Sequence, residues 1–324
     1  MSRHEPTARM LCVGVAGPAL SPGERKTLKR FGPGAIILFK RNYADRAQLR
    51  ELCRDLHRLY DPPPFVAVDQ EGGRVIRFGP PFIQLAPARE LARVHAPPAI
   101  EALARAMGAE LRAAGIDLDF APVLDVVTNP ANDVIGDRAF GRTAARVIAG
   151  GLAFMRGLRS AGIIPCAKHF PGHGNVQEDS HRELPVSHCS RRSLFEVHLK
   201  PFVAAIAAGV PMIMMAHLMT PLIDQQRPAS LSRPHIEGLL RKRLGFGGVI
   251  ATDDLQMGAL EATGALADRC VAALEAGADL LLACRPVEEL AEVFVALAQR
   301  AKSPAMGPRL AASVERLERL RQIG

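Results

Sequence analysis

Tryptophan is absent from the 324 residues, and tyrosine occurs only twice. Flat aromatic platforms on which sugar rings or bases could stack are therefore scarce. Lysine is sparse too: seven of the 41 basic residues are lysine and the rest are arginine. The six cysteines (Cys12, Cys53, Cys166, Cys189, Cys270 and Cys284) show no paired spacing, and several sit in apolar runs. That pattern argues against a disulfide framework and fits free buried thiols in a reducing cytoplasm. No apolar run approaches the roughly 20 residues of a membrane span, so no membrane partner is expected. Arg3 and Arg9 precede an apolar stretch over 10–20, as in a signal peptide. Gly14, Gly17 and Pro18 interrupt that stretch and Glu5 sits in the would-be basic region, so a first strand is expected there instead.

Hydrophobic residues make up 48% of the chain, enough for a sizeable core. The net charge is +8 and the pI about 9.5. The basic residues are scattered along helical segments and form no runs, so no nucleic-acid partner is expected. An anionic small substrate or plain solubility accounts for the charge equally well.

Eight short apolar runs, each bounded by turn residues, read as strands: 11–16, 35–39, 65–69, 116–122, 163–167, 212–216, 248–252 and 279–283. Helix-period segments lie between most of them. Ser21-Pro22-Gly23-Glu24 is a capping box. Asp45 and Gln48 open a second helix ending near Tyr60, and further helices are expected over 98–114, 144–160, 193–208, 234–244, 265–276, 287–301 and 309–322. Gly115, Gly162, Gly209 and Gly277 each end a helix ahead of a strand. This rhythm predicts an α/β fold, a single-domain (β/α)8 TIM-type barrel over 1–324. A doubly wound open sheet is the alternative. The third-to-fourth connection is long and proline-rich, and is expected to wander over the barrel mouth or bottom.

One stretch, 168–181, packs Lys168, His169, His173, Glu178, Asp179 and His181 among Gly172, Gly174 and Pro171. Gly and Pro punctuate a loop, and the run ahead of it is a buried strand, so this is a polar loop at a strand's C-terminal end. Three readings stand: a surface loop with a salt bridge, a metal site on His169, His173 and His181, and an acid/base loop. The histidine spacings match no compact zinc signature. Imidazole titrates near neutrality, and Asp179 stands two residues from His181, which suits proton transfer. Polar residues also follow other strands: Asp69 the third, Arg138 the fourth, His217 the sixth, Asp253 and Asp254 the seventh. Barrel-end charges can simply pair with one another, but five successive strand ends favour a site. In an arginine-rich chain, lysine at 168 suggests a compact point donor.

Lys168-His169-Phe170-Pro171-Gly172-His173-Gly174 followed by Asp179-Ser180-His181 resembles the signature of glycoside hydrolase family 3 β-N-acetylhexosaminidases. The resemblance extends to 68–74 (Val-Asp-Gln-Glu-Gly-Gly-Arg), 136–140 (Gly-Asp-Arg-Ala-Phe) and 248–254 (Gly-Val-Ile-Ala-Thr-Asp-Asp). It implies Asp253 as nucleophile, His181 as acid/base, and Asp179 as the carboxylate that orients His181. Glu178, in the same loop, is the rival acid, and Asp254 is a supporting residue. Asp69, Arg77, Arg138, Lys168 and His169 are implied to bind the sugar, the last three as donors. Lys168 is further expected near the nucleophile, keeping it ionised. His173 is expected to be structural.

The resemblance further implies a cytoplasmic, retaining exo-β-N-acetylglucosaminidase needing no metal or organic cofactor. Its substrate would be a small glycan: N-acetylglucosamine linked to 1,6-anhydro-N-acetylmuramic acid, with or without peptide, from peptidoglycan recycling. A monomer is expected. Phosphorolysis on the same scaffold and a non-catalytic sugar sensor are the rival functions. The loop 172–181 is expected to be mobile, with glycines supplying freedom and few residues able to anchor it, and to close by bringing His181 over Asp253.

Overall fold

Each of the eight apolar runs forms a strand in the computed structural model, which describes residues 6–180 and 182–323. The strands are β1 (Leu11–Gly14), β2 (Ala35–Leu38), β3 (Phe65–Val68), β4 (Leu118–Asp119), β5 (Ile164–Phe170), β6 (Met212–Met215), β7 (Val249–Thr252) and β8 (Leu281–Pro286). β1 to β7 are buried along their whole length. A strand covered on both faces reads as a continuous apolar run and not as an alternating one. The sheet order is β7-β6-β5-β4-β3-β2-β1-β8, with every pairing parallel. A parallel bridge between Ala251 and Leu280 joins the two ends, and the Thr252 N–H donates to the Leu280 carbonyl at 2.9 Å. The sheet closes into the expected barrel, and the open doubly wound alternative falls.

The helices begin and end where the local chemistry dictates. Ser21 and Glu24 exchange side-chain and backbone hydrogen bonds at 3.0 Å and start the helix Pro22–Phe31. Asp45 accepts two N–H groups at the head of Arg46–His57. Gly115, Gly162, Gly209 and Gly277 take φ of 92°, 76°, 74° and 121°, which lets each helix turn directly into the next strand.

Four details depart from the sequence reading. The helix expected over 193–208 is interrupted by a wide π turn, Leu194–His198, before Lys200–Ala207. The Leu199 N–H reaches back five residues to Leu194, just ahead of Pro201, whose ring removes a backbone donor. The helix Pro234–Arg243 is π-wound throughout. The fourth strand, Leu118–Asp119, is shorter than the run 116–122, although Phe120, Ala121 and Pro122 still exchange single backbone bonds with the neighbouring strands and a parallel bridge joins Val123 and Lys168. Finally, the proline-rich connection holds a helix, Ala88–Val94, that buries only Ala88 and Leu91 and so leaves little periodicity to read. Among the described residues, no helix is long and apolar enough to cross a membrane.

Candidate active site

The strands' C-terminal ends surround a cavity of about 330 Å³. Its lining includes seven of the eight residues expected to act in catalysis or sugar binding: Asp69, Arg77, Arg138, Lys168, His169, Asp179 and Asp253. The eighth, His181, lies outside the described residues. Glu178 is exposed and is not part of the lining. The volume is at the small end of the ~300–1,000 Å³ typical of ligand pockets and suits one sugar ring.

Asp69 leaves β3 directly. Behind it the buried Gln70 pins the following turn, accepting the Arg77 and Phe78 N–H groups at 2.9 and 3.2 Å while its own N–H donates to Asp119. That turn carries Arg77 back to Asp69, 3.3 Å away, and lays its guanidinium 5.5 Å from the centre of the Phe39 ring. β5 runs on through Lys168 and His169 to Phe170, so both side chains are set by the strand itself, and the peptide between them is cis. Lys168 Nζ donates to Asp69 at 2.8 Å and to Glu71 at 2.6 Å.

Glu71 was not among the sequence candidates, although it stands inside the motif 68–74. Its two oxygens accept Arg138 Nη2 and Nε at 2.8 and 2.9 Å, the forked geometry that favours arginine over lysine. Burial opposes ionisation of Glu71, but Arg138 and Lys168 outweigh it and hold the carboxyl well below its usual value. Burial likewise works against the Lys168 ammonium, and Asp69 with Glu71 more than offsets it. The two cations expected to bind a sugar are thus already partnered, and their remaining donor directions are fixed.

Asp125 is the second residue that sequence reasoning missed. It is fully buried and accepts His169 Nδ1–H at 2.7 Å and the His173 backbone N–H at 2.7 Å. The available signal was a lone carboxylate inside the apolar run 122–127. Because a carboxylate can only accept, His169 carries a hydrogen on Nδ1; its Nε2 lies 3.4 Å from Arg138 Nη2, which can only donate, and so turns a lone pair to that side. His169 therefore meets the cavity as an acceptor, where a donor was expected. Burial would raise the Asp125 carboxyl, but the His169 and His173 groups more than compensate and lower it.

Asp253 follows β7, and its Oδ1 accepts the Asp254 N–H at 2.8 Å. Burial pushes its pKa up. The groups around it, the Asp254 N–H and Lys168 among them, outweigh burial, so the net shift is downward. Lys168 is the last of these, since its ammonium is held by Asp69 and Glu71. Asp254 turns towards β8, where its carboxylate accepts the Gln256 and Cys284 N–H groups at 3.2 and 3.3 Å. Its burial raises it to about 6.

The loop after β5 is anchored more firmly than its composition suggested. A Cβ on Gly174 would sit 2.1 Å from the Val126 carbonyl oxygen, and one on Gly172 2.9 Å from His198 Cβ. The Gly174 carbonyl accepts two N–H groups from 128–129, and Asn132 holds the His173 carbonyl at 2.7 Å. Val176 is buried against Ala216 and Leu218. Both glycines are closely packed, and Gly172 also takes φ of 120°, which glycine allows. His173 lies buried at the cavity wall, with its pKa lowered by burial to about 4. Among the described residues, no three histidine, cysteine or acidic side chains are gathered as metal ligands.

Comparison with known proteins places this geometry. The sequence model of the glycosyl hydrolase family 3 N-terminal domain matches residues 5–320. A β-hexosaminidase of Thiobacillus denitrificans is 42% identical over 293 residues, covering 89% of this chain and 81% of that protein. The solved glycoside hydrolase family 3 β-N-acetylglucosaminidase of Paenibacillus sp. FPU-7 superposes with a TM-score of 0.94 at 36% identity, and the chain spans all of its own length but 62% of that longer protein. NagZ of Neisseria gonorrhoeae, solved with N-trifluoroacetyl-D-glucosamine, has a TM-score of 0.80 at 32% identity, with 95% of this chain and 98% of that one covered. The chain belongs to glycosyl hydrolase family 3, among relatives that are β-hexosaminidases.

Proposed function

We propose that the protein is a retaining exo-β-N-acetylglucosaminidase that works through a glycosyl-enzyme on Asp253. The observation that carries this reading is the placement of Asp253, with its pKa held down, at the wall of a one-sugar cavity beside fixed hydroxyl-binding groups. The Asp254 N–H occupies Oδ1, which leaves Oδ2 as the attacking oxygen. Oδ2 bonds to the anomeric carbon as the bond to the leaving oxygen breaks, and His181, oriented by Asp179, gives that oxygen its proton. Water then attacks the anomeric carbon, and the bond from that carbon to Oδ2 breaks. His181 takes the water's proton and Asp253 leaves as a carboxylate.

Asp69 and the Lys168 and Arg77 side chains bound to it hold the hydroxyls of a terminal sugar, and His169 Nε2 accepts from one of them. A cavity the size of one ring supports exo action. The leaving group is 1,6-anhydro-N-acetylmuramic acid, with or without peptide, and its carboxylate suits a chain of charge +8. The protein works in the cytoplasm as a monomer, with residues 1–324 as its single catalytic domain, on small muropeptide glycans.

A panel of aryl β-glycosides tests the reading, with the first-formed anomer followed by NMR. Release of the β anomer from the N-acetylglucosaminide alone is expected. An α anomer first overturns retention, and a rate that depends on phosphate would make the enzyme a phosphorylase. No turnover of any member would leave the sugar sensor.

A further inference from the structure

His217 and Ser230 lie beside the nucleophile's turn without lining the cavity. The Asp254 carbonyl oxygen is 2.8 Å from His217 Nε2. A carbonyl can only accept, so Nε2 carries the hydrogen. Nδ1 is then the acceptor, and the Ser230 hydroxyl stands 2.7 Å away to donate to it. Both residues are buried, His217 at 1% exposure and Ser230 at 0%. Burial also lowers the His217 pKa, which favours the neutral ring this pattern requires.

The backbone locks the arrangement from both sides. The Ser230 N–H donates to Ala216 O at 3.1 Å and the Ala229 N–H to Leu218 O at 2.9 Å, so 229–230 lie alongside the end of β6. The Asp253 N–H donates to Met215 O at 3.0 Å, so the nucleophile's strand rides on β6 as well. A single line of contacts therefore runs from the Ser230 hydroxyl through His217 to the Asp254 carbonyl, one residue after the nucleophile. The Asp254 N–H in turn sets the Asp253 carboxylate.

We propose that His217, its tautomer set by Ser230, is a positioning residue that holds Asp253 Oδ2 in line with the anomeric carbon. The inference rests on Asp253 being the nucleophile. Removing the Nε2–H donor frees the 254–255 peptide to turn and lets the carboxylate swing off line. Both half-reactions use the same carboxylate geometry, once as nucleophile and once as leaving group. Sugar binding uses other residues.

The test compares His217→Phe, His217→Gln and Ser230→Ala with wild type on an aryl N-acetylglucosaminide. Phenylalanine fills the volume without a donor; glutamine can place an amide N–H near the Nε2 position. His217→Phe should lower kcat and kcat/KM together by about 10–100-fold, the scale of a 1 Å misplacement. The dissociation constant of N-acetylglucosamine should stay unchanged, and His217→Gln should recover most of the loss. In wild type, 15N NMR of the histidine rings should find His217 as the Nε2–H tautomer between pH 6 and 8, and Ser230→Ala should weaken that preference with a smaller loss of kcat.

Three results overturn the proposal: a folded His217→Phe protein within twofold of wild type, a glutamine variant no better than phenylalanine, or an Nδ1–H tautomer in wild type. The wild-type spectrum and Ser230→Ala decide the matter if His217→Phe does not fold. Asp253→Ala is assayed alongside. If that variant keeps its rate, the nucleophile itself is misassigned; if it is inactive while His217→Phe is not impaired, only the positioning role fails.

Discussion

Asp125 accepts the Nδ1–H of His169 at 2.7 Å, while Arg138 Nη2, a donor only, stands 3.4 Å from Nε2, so the imidazole turns a lone pair to that side. On the proposed function, a sugar hydroxyl would then donate to His169. Asp125→Asn removes the bias, because an amide can present either an acceptor or a donor to Nδ1. The loss falls on binding that is equal in ground and transition states, so KM should rise about tenfold while kcat changes less. Titration with N-acetylglucosamine should show the same weakening. An unchanged KM in a folded Asp125→Asn protein would mean that His169 does not reach the sugar through Nε2.

Glu71 is the hinge of the site's charge balance. Its side chain is 5% exposed and stands between Arg138 and Lys168. Glu71→Gln leaves two buried cations short of a counter-charge and should cost about 3–5 kcal/mol, as breaking a buried pair does. The pH dependence has a definite sign. The folded Glu71 carboxyl is depressed below its unfolded value, so its contribution to stability is present above the ordinary glutamate range and is lost as pH falls through and below it. Urea unfolding at pH 7 and at pH 4 should show a smaller gap for Glu71→Gln than for wild type. Equal gaps would count against the assignment.

Gly174 separates close packing from loop freedom. Its missing Cβ is what admits the Val126 carbonyl oxygen, and backbone on both sides cannot step aside cheaply. Gly174→Ala should therefore destabilise by about 1–3 kcal/mol, the usual cost of overpacking. If freedom were the point, alanine would instead stiffen the loop and raise the melting temperature. Calorimetry distinguishes the two signs.

These cases also mark what was legible in the chain. The barrel could be read because parallel strands buried on both faces are unbroken apolar runs, and because Gly115, Gly162, Gly209 and Gly277 repeat the same helix exit. Asp69, Lys168 and Asp253 could be read because each is a polar residue directly after such a run. Asp125 and Glu71 escaped for the opposite reason: their partners come from β5 and the 136–138 turn, far along the chain, so nothing local distinguishes them. The π turn at 194–198 depends on one missing N–H, at Pro201, which a 3.6-residue period hides. The close packing at Gly172 and Gly174 was not legible either, because composition alone does not show what approaches a glycine.

Asp254 offers a stability test of opposite sign to that of Glu71. Burial raises its carboxyl to about 6, above the unfolded value of an aspartate. A raised carboxylate pKa means the folded state binds the extra proton, so stability falls as pH rises from about 4 to 6. Asp254→Asn keeps an acceptor for the Cys284 and Gln256 N–H groups and removes the buried charge. It should be more stable than wild type at pH 7 and lose that advantage at pH 4. An Asn variant less stable at both pH values would show that the carboxylate is needed ionised.

Two leaving groups of different basicity separate His181 as proton donor from His181 as binding residue. A natural leaving sugar departs as a poor alkoxide and needs a proton in the transition state, whereas nitrophenolate does not. General acid catalysis is typically worth about 10²–10⁴-fold, so His181→Ala should lose that much kcat/KM on the disaccharide. On a nitrophenyl N-acetylglucosaminide the loss should be far smaller. The parameter matters, because kcat/KM reports only the steps through formation of the glycosyl-enzyme, and kcat also contains its hydrolysis. Hydrolysis needs His181 as a base whichever group left first, so kcat should fall on both substrates. Added azide, an anion that attacks without giving up a proton, should then restore kcat on the nitrophenyl substrate and yield the β-glycosyl azide. Glu178, exposed and outside the cavity lining, becomes the acid only if kcat/KM falls equally on the two substrates and azide restores nothing.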